Sequence, residues 1–310
     1  WHIGVVWEIH NGEAHLCDNQ KCTDHNYTHH LNFCEWPNQV DNPREKGNVF
    51  AFGGHYIEIF QHFFDNGVPH MAMATISTGI PPEEMKLQTT ACNNVTLQVI
   101  DRLGFKDKNA CMLENSTVSA ENLIIVPSMR VLHPYFYDWY YERMRFTPKK
   151  KDKVIIIPRD SENSEYDARV IYNVEDLKKP LEKIHGVGNV IVHRSLIGID
   201  LLDDLIDKFG RAKVILGPHG GAFYNQFFAG RDTDIVEMIP MMSTGKYPGQ
   251  EHWDKLIPFA HLAMYTNTLL LGQRFWRYIT MDVDINYNID IDDFMKWSKR
   301  VPTLAEAREK

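Results

Sequence analysis

The chain has 310 residues, 44% of them hydrophobic and 12% aromatic, and carries a formal net charge of -8. That length and apolar content can bury one large core or two of roughly 150 residues each. The acidic balance excludes a nucleic-acid backbone or an anionic membrane surface as the main partner, because no Lys/Arg surplus exists to neutralise phosphates. Any phosphate has to be bound locally.

All five cysteines, Cys17, Cys22, Cys34, Cys92 and Cys111, lie in the amino-terminal part of the chain, together with Asn-x-Ser/Thr sequons at Asn26, Asn94 and Asn115. Clustered in one half, they point to an oxidising, glycosylating lumen. An odd cysteine count leaves one thiol free or paired outside this sequence. Cys92 with Cys111 is the expected bridge, and the pairing of Cys17, Cys22 and Cys34 stays open. No window of about 20 apolar residues occurs and no signal peptide opens the sequence. Any membrane anchor is expected upstream of Trp1.

In chain order, residues 47–74 read as a strand ending at Gly53 and Gly54, then a helix carrying Tyr56, Ile59, Phe60, Phe63 and Phe64. Residues 121–128 read as a strand and 134–145 as a helix, so the first half is an irregular Rossmann-like lobe. The run "TPKKKDK" (147–153) is charged and marked by a proline, as a linker would be. Beyond it, residues 154–158, 189–193, 214–217 and 234–239 are short β-branched apolar runs, as expected of strands buried on both faces. Helical patterns alternate with them. Residues 173–186 open on a capping Asn173, with Pro180 expected to kink or shorten the helix. Residues 199–210 place Leu201, Leu202, Leu205, Ile206 and Phe209 on one stripe and stop at Gly210, a good residue to follow a helix. This alternation means a parallel sheet with helices on both faces. The acidic start and basic end of "DIDDFMKWSKR" suit a terminal helix. The expected division is 1–148 for the first lobe, 149–275 for the second, and 276–310 for a helical tail able to pack back on the first lobe.

The stretch "GPHGGA" (217–222) occupies a strand-to-helix junction, where ligands of open parallel sheets bind and a helix N-terminus presents free N–H groups. Two adjacent glycines there let a ligand approach the main chain. The spacing is not GxGxxG, and no GxxxxGK[ST] occurs, which disfavours a kinase, an NTPase or a dehydrogenase. His219 is either part of this site or a turn histidine satisfied by local backbone. Arg159 follows the strand 154–158 and so reaches the same sheet edge, where it meets an anion or pairs with Asp160 or Glu162. Glu237 is a carboxylate within a buried strand and needs a partner: ribose hydroxyls, or a salt bridge to Arg159, Arg169 or Arg231.

Together, Arg159, then Arg169 with "YNVEDL", then "VILGPHGGAFYNQFFAGRDTDIVEMIP" resemble the signature of glycosyltransferase family 61. Gly217, His219, Gly220, Asn225, Phe228, Val236, Glu237 and Pro240 match in register. Pro158 stands where serine usually precedes the arginine, and Gly221 where alanine usually follows the glycine. The upstream "HFFD" (62–65) resembles the family's H-x-x-D, and the similarity spans about residues 50–240.

This resemblance implies a GT-B enzyme, with two Rossmann-like lobes facing a cleft, a nucleotide sugar in the second lobe and the acceptor in the first. It implies inverting transfer of xylose, arabinose or N-acetylglucosamine from a UDP-sugar to a glycan or glycoprotein, in a type II membrane protein of the Golgi or endoplasmic reticulum lumen. The implied donor site is Arg159, Arg169, Gly217, His219, Gly220, Gly221, Ala222, Asn225 and Glu237. Inversion needs a base for the acceptor hydroxyl. Asp65 is the expected base, with His62, three residues earlier on one helix face, as its neighbour or the base itself.

The tripeptide "DVD" (282–284) resembles a metal-binding DxD but falls in a polar, Asp-rich tail. Helix dipole and arginine take the ion's place in a GT-B enzyme, so no essential metal or other cofactor is expected and Mn²⁺ is not required. The rival from another class is a noncatalytic glycan- or nucleotide-sugar-binding protein of the same fold. A hydrolase is disfavoured, since neither a GxSxG elbow nor an HExxH helix occurs and Asp203 with Asp204 reads as a solvated face.

Overall fold

The computed structural model describes residues 45–53, 57, 59–105, 109–111, 117–126, 133–159, 169–194, 201–241, 262–281 and 283–305, and the backbone of 6–10 and 13–17. Asn26, Asn115, Cys22, Cys34, Gly54, Tyr56 and Asp282 lie outside these residues. The chain divides into two compact units, 1–145 and 146–310.

The first unit holds strands β1 (Val6–His10), β2 (Glu13–Cys17), β3 (Glu45–Phe52), β4 (Met85–Thr89), β5 (Asn109–Cys111) and β6 (Thr117–Ile124) in the order β1-β2-β6-β3-β4-β5. β6, β3, β4 and β5 are mutually parallel, and β2 and β1 extend the β6 edge antiparallel. The parallel core therefore starts in the middle, at β3, and its connections leave in both directions.

Helix α1 follows β3 in three sections: an α-helical turn Phe60–His62, a π turn Phe63–Gly67, and an α-helix Val68–Thr78. The π turn has a local cause. Pro69 has no N–H for the α-helical bond to the Asp65 carbonyl, and its ring crowds that carbonyl, so the turn widens. Gly67 makes the packing possible, because a Cβ there would lie 2.8 Å from the Phe52 ring. Adjacent Phe63 and Phe64 are both fully buried. Helix α2 (Asn94–Leu103) is capped by Asn93, whose Oδ1 accepts the Thr96 N–H. Cys92, just before α2, is disulfide-bonded to Cys111 of β5. Helix α3 (Pro134–Met144) places Tyr137 and Tyr140 in the interior.

The second unit holds β7 (Lys153–Ile156), α4 (Val174–His185), β8 (Val190–Val192), α5 (Leu202–Gly210), β9 (Ala212–Pro218), a 3-10 helix (Gly221–Phe228), β10 (Asp234–Met241), α6 (Leu262–Leu270), β11 (Arg274–Met281), α7 (Ile291–Trp297) and α8 (Pro302–Ala305). The sheet order is β11-β10-β9-β7-β8, all parallel. Both units are thus α/β with parallel, Rossmann-like sheets. In the second, the chain starts at β7, adds β8 on one side, then crosses back to add β9, β10 and β11 on the other. The direction switches between β7 and β9.

Several local expectations are corrected by packing. Pro180 neither ends nor shortens α4, which runs through it. Asn173 makes no side-chain cap; its amide instead pairs with the backbone of Ile289, donating to the carbonyl and accepting the N–H at 2.8 Å each. Gly210 is the last helical residue of α5 rather than the residue beyond it, and Leu201 at its start is exposed. Residues 276–281 and 283–305, the described part of the expected tail, pack into this second unit. They supply most of β11, and Phe294, Val301 and Leu304 join the core formed by Val154, Leu177, Val214, Leu216 and Val236.

A buried aspartate fastens this carboxyl-terminal part. Asp234, with no exposed side-chain surface, accepts from Arg274 Nε (2.6 Å) and Nη2 (3.0 Å), from Trp276 Nε1 (2.8 Å), and from the Thr303 hydroxyl. Burial opposes its ionisation, but the bonds from Arg274, Thr303 and Trp276 outweigh burial and hold its pKa below the ordinary 3.8. Asp234→Ala removes the acceptor of the part-buried Trp276 indole N–H and the partner of Arg274, and is expected to cost about 2–4 kcal/mol in denaturant melts. Because the folded pKa is depressed, the wild-type contribution is present above the ordinary value and lost as pH falls through the folded one. The stability gap between wild type and Asp234→Ala should therefore shrink on acidification below about pH 4.

Candidate active site

The carboxyl ends of β7 and β9 flank the switch in strand direction, where open parallel sheets bind ligands. The sequence places Arg159 just beyond β7 and the turn "GPHGGA" at the end of β9, and the fold makes them neighbours. Arg159 Nη1 donates to the His219 carbonyl at 2.9 Å. Ile171 N–H donates to the Pro158 carbonyl at 3.1 Å, which brings the Arg169 segment alongside the end of β7. Arg159 and Arg169 have φ of 61° and 73°. Left-handed backbone costs an ordinary residue about 1–2 kcal/mol, and such residues cluster at functional sites.

Two glycines of the turn are required by the protein's own atoms. A Cβ at Gly217 would lie 2.2 Å from the Ile157 carbonyl oxygen, and one at Gly220 would lie 1.7 Å from Arg159 Nη1. Gly217 lets β7 and β9 close up at the switch, and Gly220 lets the guanidinium seat under the turn. The segment after the turn, expected as a helix, is a 3-10 helix over Gly221–Phe228. Its residues Phe223 to Phe228 are all buried, so it threads through the interior instead of lying on one face. Gly221 and Ala222 open it. Asn225 is buried, its Nδ2 donating to the Ala222 carbonyl at 2.9 Å, and its Oδ1 has no hydrogen-bond partner.

His219 and Glu237 form a pair. His219 Nδ1 lies 2.6 Å from Glu237 Oε1, and Glu237 Oε2 accepts from Arg277 Nε at 3.0 Å and Nη2 at 2.9 Å. The side chain of Glu237 is 0% exposed, that of His219 13% and that of Arg277 35%. A carboxylate paired with a guanidinium only accepts, so the proton of this contact sits on His219 Nδ1. His219 is thus held by a buried carboxylate, not by local backbone alone. Glu237 is neutralised by Arg277, a partner absent from the sequence reading. The only signal for Arg277 was an arginine alternating with Trp276 and Tyr278 in a strand pattern, and its meaning depends on register.

His62 and Asp65 belong to the first unit, and both are half-buried. The π turn starting at Phe63 removes the α-helical spacing on which their shared face rested. Asp65 faces α3: burial first, then the charge of Asp65, push the Tyr137 phenol well above its ordinary pKa. Among the described residues no group of three or more His, Cys, Asp and Glu is placed to hold a metal ion.

Two α/β units with Rossmann-like parallel strands, one of them with arginine, histidine and a glycine turn at the switch point of its sheet, define the class of fold. The model of the family described as Glycosyltransferase 61 matches residues 60–236, more than half of the chain, and the chain belongs to this family. The protein is therefore a glycosyltransferase. No curated protein matches it.

The two glycines give a test of the turn. Gly217→Ala must displace backbone and is expected to lose about 1–3 kcal/mol of stability. Both positions have a φ that strains an alanine, 159° and 157°, but Gly220→Ala displaces the Arg159 side chain where Gly217→Ala displaces the Ile157 carbonyl, so Gly220→Ala should melt closer to wild type. Equal melting temperatures for the two variants would contradict the packing described.

Proposed function

We propose that the protein is an inverting glycosyltransferase that moves xylose, arabinose or N-acetylglucosamine from a UDP-sugar to a hydroxyl of a glycan or glycoprotein. The observation that carries this reading is the convergence of Arg159, the 217–222 turn and the His219–Glu237 pair at the switch point of the second sheet. In this reading the two units are the lobes of a GT-B enzyme, with donor in the second and acceptor in the first. Arg159, Arg169, His219 and the backbone of Gly221 and Ala222 face the diphosphate. Gly217, Gly220, Asn225 and Glu237 shape and orient that surface.

The acceptor oxygen attacks the anomeric carbon from the face opposite UDP and gives its proton to Asp65 or His62. The bond from the anomeric carbon to the β-phosphate oxygen breaks, and its electron pair leaves on UDP, where Arg159 and His219 take up the charge. Arg159 and Arg169 supply the positive charge for this stabilisation, so the reaction proceeds without an essential metal.

The work is placed in the lumen of the Golgi or endoplasmic reticulum. The Cys92–Cys111 disulfide and the sequons support this placement, in the reading of a type II membrane protein. Among the described residues no helix is long and apolar enough to cross a membrane.

Three measurements test the reading. Arg159→Ala and Gly220→Val should each weaken UDP binding at least tenfold, about 1.4 kcal/mol or more; unchanged titrations of folded variants would remove the donor site from this turn. Asp65→Asn should leave UDP affinity within about twofold while transfer falls by ~10² or more. A larger loss in His62→Ala with Asp65→Asn still active moves the base to the histidine, and near-normal transfer in both places it elsewhere. Peptide mapping of protein secreted from a eukaryotic host should find glycans at Asn94 and Asn115; bare asparagines there would reject the lumenal placement.

A further inference from the structure

Arg277 lies beyond the residues matched by the family. In parallel register it stands opposite Glu237 of β10, which stands opposite Gly217 of β9. Side chains at paired positions of neighbouring strands project from the same face, so Arg277 and Glu237 share the face onto which His219 folds back. Arg277 uses Nε and Nη2 on one carboxylate oxygen, which leaves the two N–H groups of Nη1 outside the pair. The guanidinium carbon also sits 5.3 Å from the Phe275 ring centre, and Phe275 is itself braced edge-on by Tyr265 at 5.5 Å. The cation is thus fixed from two sides, while its side chain keeps 35% of its surface exposed against 0% for the carboxylate. Neutralising Glu237 requires only a nearby positive charge; it does not require a planar, braced guanidinium with two N–H groups left outside the pair.

We infer that Arg277 contacts the β-phosphate of the bound nucleotide sugar, alongside His219 and Arg159, and that Glu237 is a positioning residue orienting both His219 and Arg277. This inference rests on the donor site proposed above. It is tested by titrating UDP and UMP into wild type, Arg277→Gln, and the double variant Glu237→Gln with Arg277→Met. The single variant should bind UDP at least tenfold more weakly and UMP within about twofold, because only UDP carries the contacted phosphate. The double variant removes both charges and leaves no unpaired buried carboxylate, so it guards against a folding defect. It should keep the same selective loss of UDP. Equal losses for UDP and UMP, unchanged UDP affinity, or recovery of UDP binding in the double variant would each overturn the inference and reduce Arg277 to a counter-ion. Wild type that binds neither nucleotide would instead bring down the donor site itself.

Discussion

A carboxylate with no exposed surface, on an interior strand of a parallel sheet, is the constraint around which the second unit is organised. Removing an ion from water costs several kcal/mol unless charge and hydrogen bonds replace the lost hydration. Glu237 meets this demand with Arg277 on one oxygen and His219 on the other. Satisfying one buried charge therefore fixes the register of β10 against β11, folds the end of β9 back over the sheet, and sets which nitrogen of His219 carries the proton. Arg159 then closes the row by donating to the His219 carbonyl through the gap that Gly220 leaves. Stability and site geometry are here the same set of contacts.

Strand order decides where that row is used. Both sheets start their parallel run in the interior and build outward in two directions, and in the second sheet the reversal falls between β7 and β9. Residues separated by about sixty positions, Arg159 and His219, meet there because the strands carrying them are neighbours. The same unit is closed from below by the carboxyl-terminal segment. Asp234 ties β10 to Arg274, Trp276 and Thr303, and Asn173 clasps the backbone of Ile289. The rigidity of the site is thus supplied partly by residues beyond the matched family segment.

In the first unit the comparable feature is the π turn at residues 63–67, forced by Pro69 and accommodated by Gly67. It reorients Asp65 toward Tyr137 of α3, whose burial keeps the phenol protonated. A π turn costs helix geometry and persists where surrounding packing holds it in place. Here that packing is aromatic: Phe64 stands edge-on to Phe63 and to Tyr140.

Much was legible in the sequence because it depends on local chemistry. The β-branched runs of the second half, the helices between them, the glycine turn after "VIL" and the pairing of Cys92 with Cys111 each follow from residues close together in the chain, where periodicity and side-chain type suffice. What tertiary structure alone decided was every relation set by strand order and register. Arg277 became the partner of Glu237 only once β11 lay beside β10. Gly217 and Gly220 proved to make room for Ile157 and Arg159, and Asn173 left its helix end for Ile289. Such pairings join segments forty to more than a hundred residues apart, and no periodicity within either segment records them. The sequence by itself determined which elements form and which residues can carry charge into the core; the packing of strands determined which of those charges meet.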